Sequence, residues 1–543
     1  MERRWRKVWP VWCPTTCEVD RPTSEYAREW ANLTPSAAAL TFNGRDISYA
    51  ELNRLIDRLA WGLVGLGLAK GDRVAVHMAN CPQFVLAYFA TQRAGGVVVA
   101  VNPMFRAAEI EHELNDAGVT VLIGLDSLYP EVERVRAKTP LETVILTAMG
   151  DFGPTDATGE KPSFSETVSL VDLIERSSEE PICRVDDLKA DLALLQYTGG
   201  TTGAPKGAMI SHHALASAAI GTMYWWHLRE DDVYLGVTPF FHVMGQVALM
   251  CGPLVSGGRV VVLPRFLPDL AAQTITRYRC TFWVAATPMI IALLALPEVE
   301  RYELGSLRCV VTGGAPISVE LQNRFSTLAP KAAMAEGYGL SETICQGGAV
   351  TPIHRYKPGF LGVPNLNSDI KIMDQDTGTR ELGPNEPGEI VIRSPSMTLG
   401  YWNQPEESAR MLRDGWLYTG DTGLMDEEGY VKFLGRTREM IKCSGFSVFP
   451  AEVENLIYAH PAVREVVVIG VDDPYRGESP KAFIVLKEEF VGSVSEAAIV
   501  EWCKDNMAAY KRPHVVEFRQ ELPKSPAGKF LKRLLIEEEK QRV

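Results

Sequence analysis

The sequence predicts a layered α/β fold: a large N-terminal domain of α/β subdomains with a β-rich part, and a small mobile α+β C-terminal domain. Three observations carry this prediction. Valine-rich runs bounded by glycine are typical of strands buried on both faces. Segments with helical periodicity separate these runs, as in strand–helix–strand repeats. Beyond about residue 365 the segments become shorter and are interrupted by Gly, Pro and acidic turns, which indicates a β-rich part.

The first half of the chain alternates predicted helices and strands. Leucines at helical spacing predict a helix over Tyr49–Leu68, with Ser48 as its N-cap. Another helix is predicted over Phe84–Ala94, and a buried strand over Gly95–Val101. The apolar run Thr281–Pro297 is too short to span a bilayer and predicts a strand, a turn and a helix. Further buried strands are predicted at Arg73–His77, Val119–Ile123, Val144–Thr147, Arg259–Leu263 and Cys309–Thr312.

The last third of the chain divides into two parts. Ile370–Met373 and Glu389–Arg393 predict hairpin strands in a β-rich part over about 365–435. From about Arg436 a compact α/β unit begins, and we place the domain boundary there, with domains at 1–435 and 436–543. The sequence has no low-complexity linker, so the hinge must be short. Predicted elements of the small domain are a helix at Ala451–Ala459, strands at Val463–Val471 and Ala482–Lys487, and a helix at Glu496–Met507.

Composition excludes several classes of protein. The 543 residues are 46% apolar and 23% charged, as in soluble multidomain proteins. A formal net charge of −13 argues against a nucleic-acid binder, because phosphate contacts need clustered cations. Ten cysteines scattered singly indicate a reducing compartment, so we expect a cytoplasmic protein. A homodimer is a further expectation.

The N-terminus is basic and carries tryptophan, but it lacks the apolar region of a secretory signal. We expect a loose, solvated tail there. Peripheral contact with an anionic membrane surface is the alternative. No segment of the sequence predicts a transmembrane span.

Residues 197–207 have the composition of a phosphate-binding loop. They follow the apolar strand Leu192–Leu195 and read Tyr-Thr-Gly-Gly-Thr-Thr-Gly-Ala-Pro-Lys-Gly. Glycines let backbone N–H groups approach an anion, while the threonines add hydroxyl donors and the lysine a cation. The lysine stands between Pro205 and Gly207, so the Walker A spacing fails. The residues expected to hold a polyphosphate are Thr198, Gly199, Gly200, Thr201, Thr202, Gly203 and Lys206.

This loop resembles the phosphate loop of the adenylate-forming superfamily, which comprises acyl-CoA synthetases, amino-acid adenylation domains and beetle luciferases. Its Tyr-Thr-Gly-Gly-Thr-Thr-Gly form is most similar to that of fatty acyl-CoA synthetases. The resemblance extends over nearly the whole chain, with the motifs in family order. It implies that 1–435 is the large AMP-binding domain and that 436–543 carries the hinge and a catalytic lysine.

The same resemblance assigns the nucleotide contacts. The segment 312–316, with Gly313, Gly314, Ala315 and Pro316, resembles the stretch that lies against adenine. The segment 336–343 resembles the Y-G-x-[ST]-E motif. It implies that Tyr338 stacks on adenine beside Gly339, that Ser341 reaches the α-phosphate and that Glu342 binds the Mg²⁺ of MgATP. One carboxylate suffices for a hard cation held mainly by phosphate and water oxygens.

Further motifs concern the ribose and the hinge. Asp421, in a Thr-Gly-Asp motif, is implied to accept hydrogen bonds from both ribose hydroxyls. Arg436 is implied to contact ribose or phosphate, and Arg438 falls on the pivot, where the family more often has Asp or Lys. A hinge needs backbone freedom more than one side chain, so this departure leaves the prediction intact. The groups implied to face the site after the small domain rotates are Lys442, Ser444 and Gly445.

Lys529, in the C-terminal motif, is implied to bridge the substrate carboxylate and the α-phosphate of ATP. Two anions must come into contact while charge builds on phosphorus, so a flexible cation is required. Tyr510–Pro513 resembles a stretch near the CoA path, with a solvated helix end as the alternative.

The acid side is less defined by sequence. Residues 239–245 match the motif that borders the carboxylate pocket, and His242 is expected to partner the acid or gate its tunnel, with a packing histidine as the alternative. Phe241 and His242 offer no anion for a substrate ammonium, which argues against an amino acid. Trp225, Trp226 and Met289–Leu294 are apolar enough for a tunnel, although core packing is the simpler interpretation. Residues 124–128 resemble a phosphopantetheine attachment site but are expected to be a strand-ending turn.

We therefore predict an AMP-forming acyl-CoA ligase that uses ATP and CoA as co-substrates and Mg²⁺ as cofactor. The proposed catalytic residues are Lys529, Thr198, Glu342, His242 and Lys442. A medium- or long-chain fatty acid is the expected substrate. The alternatives are an aromatic or alicyclic acid, an enzyme that loads a carrier protein, and a sensory protein that binds ATP without turnover.

Overall fold

The computed structural model describes residues 3–154, 164–198, 205–313, 317, 319–353, 355–375, 378–436, 439–443, 446–473, 476–524 and 530–542. The side chains of Val319, Lys442, Phe446, Ser447 and Tyr510 lie outside this description.

The α-helices, in chain order, are α1 Glu25–Leu33, α2 Tyr49–Gly65, α3 Pro82–Arg93, α4 Ala107–Ala117, α5 Tyr129–Arg136, α6 Leu170–Arg176, α7 His212–Trp225, α8 Val243–Gln246, α9 Gly252–Ser256, α10 Pro268–Tyr278, α11 Thr287–Leu294, α12 Val319–Leu328, α13 Pro405–Met411, α14 Pro450–Tyr458, α15 Glu496–Asn506 and α16 Lys532–Arg542.

The strands, in chain order, are β1 Ala38–Phe42, β2 Arg45–Ser48, β3 Arg73–His77, β4 Val97–Val101, β5 Val119–Leu125, β6 Thr143–Thr147, β7 Val168–Ser169, β8 Leu192–Thr198, β9 Lys206–Ser211, β10 Val233–Gly236, β11 Arg259–Val262, β12 Phe282–Ala285, β13 Cys309–Gly313, β14 Ala333–Tyr338, β15 Ala349–Val350, β16 Val363–Pro364, β17 Asp369–Met373, β18 Gly388–Arg393, β19 Leu412–Arg413, β20 Trp416–Met425, β21 Val431–Arg436, β22 Ile441–Cys443, β23 Phe446–Val448, β24 Val463–Asp473, β25 Gly477–Leu486 and β26 Val515–Phe518.

Two large, mainly parallel sheets form the first part of the chain. One has the order β7-β6-β5-β3-β4-β8-β9, in which only the β8–β9 hairpin is antiparallel among the pairs described. The other has the order β16-β15-β14-β13-β12-β10-β11-β1-β2. The strands β4 and β12 are buried along their whole length, which explains their uninterrupted apolar sequence.

Two smaller sheets complete the fold. Strands β17, β18, β20 and β19 form an antiparallel sheet with β21 on β20. The last sheet has the order β23-β22-β25-β24 with β26 on β25. The predicted fold class is therefore confirmed. The first predicted helix ends at Gly65, three residues before Leu68, and Gly67 there takes the left-handed φ of 97° that terminates helices.

The expectation of a loose N-terminal tail is wrong. Residues Arg4–Val8 form a 3₁₀ turn whose Trp5 is buried. Trp9 donates its indole N–H to the Pro364 carbonyl at 3.0 Å and packs edge-on against Trp225, with ring centroids 5.7 Å apart. Arg3 forms an ion pair with Asp369 at 2.6 Å. Composition indicated a solvated arm, but burial of two indole rings holds it against the protein.

The apolar cores separate near residue 436. Two core clusters of the small region begin at Ile441 and Val467, while the buried members of the other clusters end at Val431. No cluster among the described residues draws its buried members from both sides. In the described part of the chain, no helix is both long and apolar enough to cross a bilayer.

Candidate functional site

The predicted phosphate loop is the connection of the β8–β9 hairpin. Thr198, the last residue of β8, lies opposite Lys206, the first residue of β9. The loop residues Gly199, Gly200, Thr201, Thr202 and Gly203 lie outside the described residues, so their role stays a prediction. The Lys206 ammonium lies 2.6 Å from a carboxylate oxygen of Glu407 and 5.2 Å from the ring centre of Tyr401. The Lys206 ammonium is therefore already paired with Glu407 where β9 begins.

A segment that the sequence analysis did not single out joins the phosphate loop to the metal-binding motif. Residues 398–402 run beside β9: the Met209 N–H donates to the Gly400 carbonyl at 2.9 Å, and the Trp402 N–H donates to the Gly207 carbonyl at 2.8 Å. Tyr401 donates its hydroxyl hydrogen to a Glu342 carboxylate oxygen at 2.6 Å. We call residues 398–402 the bridging segment. The aromatic pair after Gly400 was the only sequence signal that could have indicated it.

Ser341 and Glu342 lie on a short turn, Ser341–Thr343, that follows β14. The Leu340 N–H donates to the Thr343 hydroxyl at 3.0 Å, which fixes the turn. The preceding Gly339 lies so close to Cys345 that an added Cβ would sit 2.7 Å from its carbonyl carbon. Only glycine fits this approach. Both side chains, of Ser341 and Glu342, are half-buried and remain open to a ligand.

The predicted ribose and adenine residues contact one another. Gly313, at the end of β13, lies opposite Gly337, and Tyr338 follows at the end of β14. The Tyr338 hydroxyl donates to Asp421 at 2.7 Å, and Arg436, paired with Asp421 across β20 and β21, lies 3.6 Å from its carboxylate. Burial, reinforced by the Asp421 carboxylate, raises the pKa of Tyr338 well above 10, so its phenol stays a donor. Gly314, Ala315 and Pro316 lie outside the described residues.

His242 lies two residues before Met244, which is close to the carboxyl end of β13. It precedes α8 as its N-cap, and its Nδ1 accepts the Met244 N–H at 3.2 Å. The Met244 sulfur in turn lies close to Gly313, 3.5 Å from where a Cβ would stand. Buried Asn80 fixes the backbone just before His242, because its Oδ1 accepts the Phe240 N–H at 2.8 Å. Sequence patterns missed Asn80 because a polar residue after a strand resembles any turn.

The apolar tunnel candidates are mostly core. Trp225 and Trp226 are buried, and the Trp225 indole N–H donates to the Thr351 carbonyl at 3.1 Å. In α11 Ile290, Leu293 and Leu294 are buried, whereas Ile291 is 49% exposed. Residues 124–128 end β5 and enter a 3₁₀ turn, as expected for a strand-ending turn.

A buried carboxyl group lies two residues before Tyr338. Glu336 in β14 has a relative exposure of 9%, and the Tyr356 hydroxyl lies 3.5 Å from its Oε1. Gln322 of α12 donates to the same hydroxyl at 2.7 Å. Burial raises the pKa of Glu336 to about 7. The sequence offered no signal for this shift, because neighbouring strands and helices produce the burial.

The small region carries the predicted hinge residue and the two predicted lysines. Lys442 lies in β22 opposite Ser447, and its side chain lies outside the described residues, as do Arg438, Ser444, Gly445 and Lys529. Lys524 pairs with Phe530 as an isolated bridge, so the chain on either side of 525–529 is held together. The Lys524 ammonium lies 2.6 Å from Glu465. How Lys442 and Lys529 meet the substrates stays a prediction.

The residues present fit a magnesium ion whose ligands are mainly phosphate oxygens of the nucleotide and water. Among the described residues no group of three His, Cys, Asp or Glu side chains could form a protein cage for a metal. Glu342 is a half-buried carboxylate with one oxygen fixed by Tyr401. Mg²⁺ keeps several waters and takes one or two carboxylates plus phosphate oxygens, which matches this arrangement.

Two chains of side-chain contacts therefore lie next to the carboxyl end of β14, one through Tyr338 and the other through the turn that follows it. One connects Lys206, Tyr401 and Glu342, and the other connects Tyr338, Asp421 and Arg436. A cation beside a glycine-rich hairpin, a carboxylate for a metal and a second carboxylate behind an aromatic ring can bind a nucleoside polyphosphate. The fold and site define a nucleotide-binding enzyme of the α/β type.

Comparison with known proteins identifies the family. The AMP-binding enzyme family matches residues 27–402, and the AMP-binding enzyme C-terminal domain matches residues 452–529. The chain belongs to this family, and the predicted AMP-forming acid–CoA ligase class is confirmed.

Relatives and solved structures match nearly the whole chain. A long-chain-fatty-acid–CoA ligase of Bacillus subtilis is 37% identical over 522 residues, covering 93% of this chain and 92% of the relative. A 4-coumarate–CoA ligase of Oryza sativa is 34% identical, covering 95% and 92%. The ATP-bound crystal structure of MatB from Rhodopseudomonas palustris matches with a TM-score of 0.85 at 31% identity, covering 95% and 99%.

Proposed function

We propose that this ligase activates a medium- or long-chain fatty acid with MgATP and transfers the acyl group to CoA. In the first step a carboxylate oxygen attacks the α-phosphorus of ATP, which forms acyl-AMP and releases pyrophosphate. In the second step the thiol of CoA attacks the acyl carbon, AMP leaves and one proton is released. Activation is needed because a carboxylate is a poor acyl donor, whereas AMP is a good leaving group.

One observation carries the nucleotide part of the proposal. Lys206, predicted for phosphate, lies over the ring of Tyr401, which donates its hydroxyl hydrogen to Glu342, predicted for the metal. Tyr338, at the end of β14, donates to Asp421, predicted for ribose and 83 positions away in sequence. Asp421 would accept from the ribose hydroxyls, Ser341 and Lys206 would contact phosphate, and Glu342 would hold Mg²⁺. When bound with ATP, this ion would neutralise charge on the phosphate oxygens.

The small region would supply the two lysines of the reaction. Lys529 would neutralise the approaching carboxylate and α-phosphate during adenylation, and Lys442 would replace it after rotation about Arg438. Separate apolar cores on either side of residue 436 support this proposal, because a unit with its own core can move as a body. We keep the boundary at 435/436 as part of the proposal.

The proposed substrate class is supported by the acid-side residues and by the relatives. The segment 239–245 carries Phe241, His242 and Met244 and no carboxylate, which suits an uncharged acyl chain. His242 would partner the acid or gate its entry. A Bacillus relative is named for long-chain fatty acids. An aromatic acid is the second candidate, because a plant relative of similar identity is named for 4-coumarate.

The experiment is to measure pyrophosphate release from ATP across straight-chain acids of increasing length and across benzoate-type acids, with and without CoA. Release that depends on CoA and peaks at one chain length is the expected result. A peak among the benzoate-type acids would overturn the fatty-acid assignment and leave the ligase. Release that never responds to CoA would instead indicate loading of a carrier protein.

The proposal also includes a cytoplasmic location and a homodimer. All ten cysteines are free thiols, as expected in a reducing compartment. Sedimentation of the purified chain would test the dimer. Membrane contact would be tested by flotation with anionic vesicles.

A further inference from the structure

We propose that Glu407 is a positioning residue that competes with the nucleotide phosphates for Lys206 and thereby sets the affinity of the enzyme for ATP. The inference rests on the proposed function in so far as ATP is the ligand. It starts from the ion pair between the Lys206 ammonium and the Glu407 carboxylate, whose N–O distance is 2.6 Å. Lys206 is the cation of the predicted phosphate loop, so the pair occupies the group that the phosphates would need.

The position of the pair makes this competition specific. Lys206 is the first residue of β9, immediately after the loop, whereas Glu407 lies in the first turn of α13. The bridging segment fixes both elements: Trp402 is hydrogen-bonded to Gly207, and Ser408 of α13 accepts the Tyr401 N–H at 2.8 Å. These two hydrogen bonds, one to a backbone carbonyl and one to a side-chain hydroxyl, hold α13 and its Glu407 next to the start of β9.

The exposure of the ion pair and a second partner of Glu407 allow Lys206 to leave the pair. The side chains of Lys206 and Glu407 are 31% and 37% exposed, so the pair is solvent-screened. Arg410 contacts the other Glu407 oxygen at 2.6 Å, and it would still neutralise the carboxylate after Lys206 turned towards phosphate. Lys206 also lies over the Tyr401 ring, which keeps the ammonium near the site in either position. Exposed pairs of this kind shift an equilibrium about two- to five-fold.

The chain offers a matched control. Glu406 precedes Glu407 in the same helix, carries the same charge and is exposed. E407Q and E406Q therefore change net charge and the acidic first turn of the helix equally. Only E407Q removes the partner of Lys206.

The experiment is to measure the dissociation constant of ATP by calorimetry in Mg²⁺ and low salt for the unchanged chain, E407Q, E406Q, K206M and the K206M/E407Q double variant. We expect E407Q to bind ATP about two- to five-fold more tightly and E406Q to bind it as the unchanged chain does. In the K206M background E407Q should have no effect, because the competing cation is gone. Adenosine, which lacks phosphates, should bind all variants equally.

Unchanged or weaker ATP binding by E407Q would overturn the proposal, and so would equal effects of E406Q and E407Q. Persistence of the E407Q effect in the K206M background would also overturn it, because a merely structural role would not depend on Lys206. If the unchanged chain bound no ATP, the proposed function would fail and this inference with it. ATP binding with no E407Q effect would refute this inference alone.

Discussion

The large region and the small region assemble their parts of the proposed site in different ways. In the large region predicted site residues are hydrogen-bonded to one another or to the bridging segment: Tyr338 to Asp421, and Tyr401 to Glu342. In the small region the described ion pairs of Lys524 and Lys532 join elements of that same region and include none of the predicted site residues. This difference fits the proposal that the nucleotide-binding residues are assembled before ATP arrives, whereas the two lysines are brought to them by rotation of the small region.

The largest expected effect concerns the small region. Lys529→Ala should lower the rate of adenylation about 10²–10³-fold, because it removes the cation that stabilises charge on the reacting phosphorus. Thioester formation from supplied acyl-AMP should remain largely intact, because Lys529 would have left the site by then. The two half-reactions are measured separately by pyrophosphate release and by acyl-CoA formation.

Lys524→Ala is the control for that variant, since Lys524 is held by Glu465 at the edge of the same segment. It should leave both half-reactions nearly unchanged. Equal losses in the two half-reactions of Lys529→Ala would contradict the exchange of lysines.

The next effect concerns the large region. Asp421→Asn removes a buried charge that accepts the Tyr338 hydroxyl and faces Arg436. Hydrogen bonds to charged groups contribute about 1.5–3 kcal/mol, so the KM for ATP should rise roughly 10- to 100-fold. Asp414→Asn, on an exposed turn of the same sheet, serves as the control and should change nothing. A KM within about twofold of the unchanged chain in both variants would remove Asp421 from the ribose site.

A smaller effect is expected at the bridging segment. Tyr401→Phe keeps the ring beside Lys206 but removes the hydrogen bond to Glu342. Partners of a metal-binding carboxylate typically matter by 10–100-fold, and we expect the lower end, about tenfold, in the Mg²⁺ concentration for half-maximal rate. Titration of the rate with Mg²⁺ at saturating ATP measures it. Tyr418→Phe, whose hydroxyl contacts only the Gly378 carbonyl among the hydrogen bonds described, is the comparison variant.

The last expected effect is on stability and not on activity. Burial raises the pKa of Glu336 from about 4.5 to about 7, so the folded state binds more protons than the unfolded chain between these pH values. The free energy of unfolding should therefore fall as pH rises from 5 to 8. Glu336→Gln should remove on the order of 2–3 kcal/mol of this fall. Denaturant unfolding at several pH values tests it, with exposed Glu320→Gln as the control; identical pH profiles of all three chains would refute the shift.

Sequence patterns predicted what local chemistry determines. Periodicity located α2 and its Ser48 cap, whose hydroxyl accepts the Glu51 N–H at 3.2 Å. Composition predicted a phosphate loop after β8, and motif order predicted ligand contacts for Tyr338, Glu342 and Asp421. These signals lie within a few consecutive residues, which is why one sequence contains them.

The remainder depends on contacts between distant segments. Trp5 and Trp9 looked like part of a solvated arm because their partners, Gly429 and Trp225, lie far along the chain. Glu407 is the second of two consecutive glutamates, and its contact with Lys206, 201 positions away, is seen only in the structure. No local pattern distinguishes Glu406 from Glu407. Only the tertiary structure does.

The most direct test of the central claim uses a fatty acid labelled with ¹⁸O in its carboxylate, together with ATP and CoA. Attack of the carboxylate on the α-phosphorus leaves one acid oxygen on the nucleotide when CoA displaces it. The account predicts one ¹⁸O atom in the AMP product and none in pyrophosphate. Label in a phosphate product other than AMP, or unlabelled AMP formed together with acyl-CoA, would contradict it.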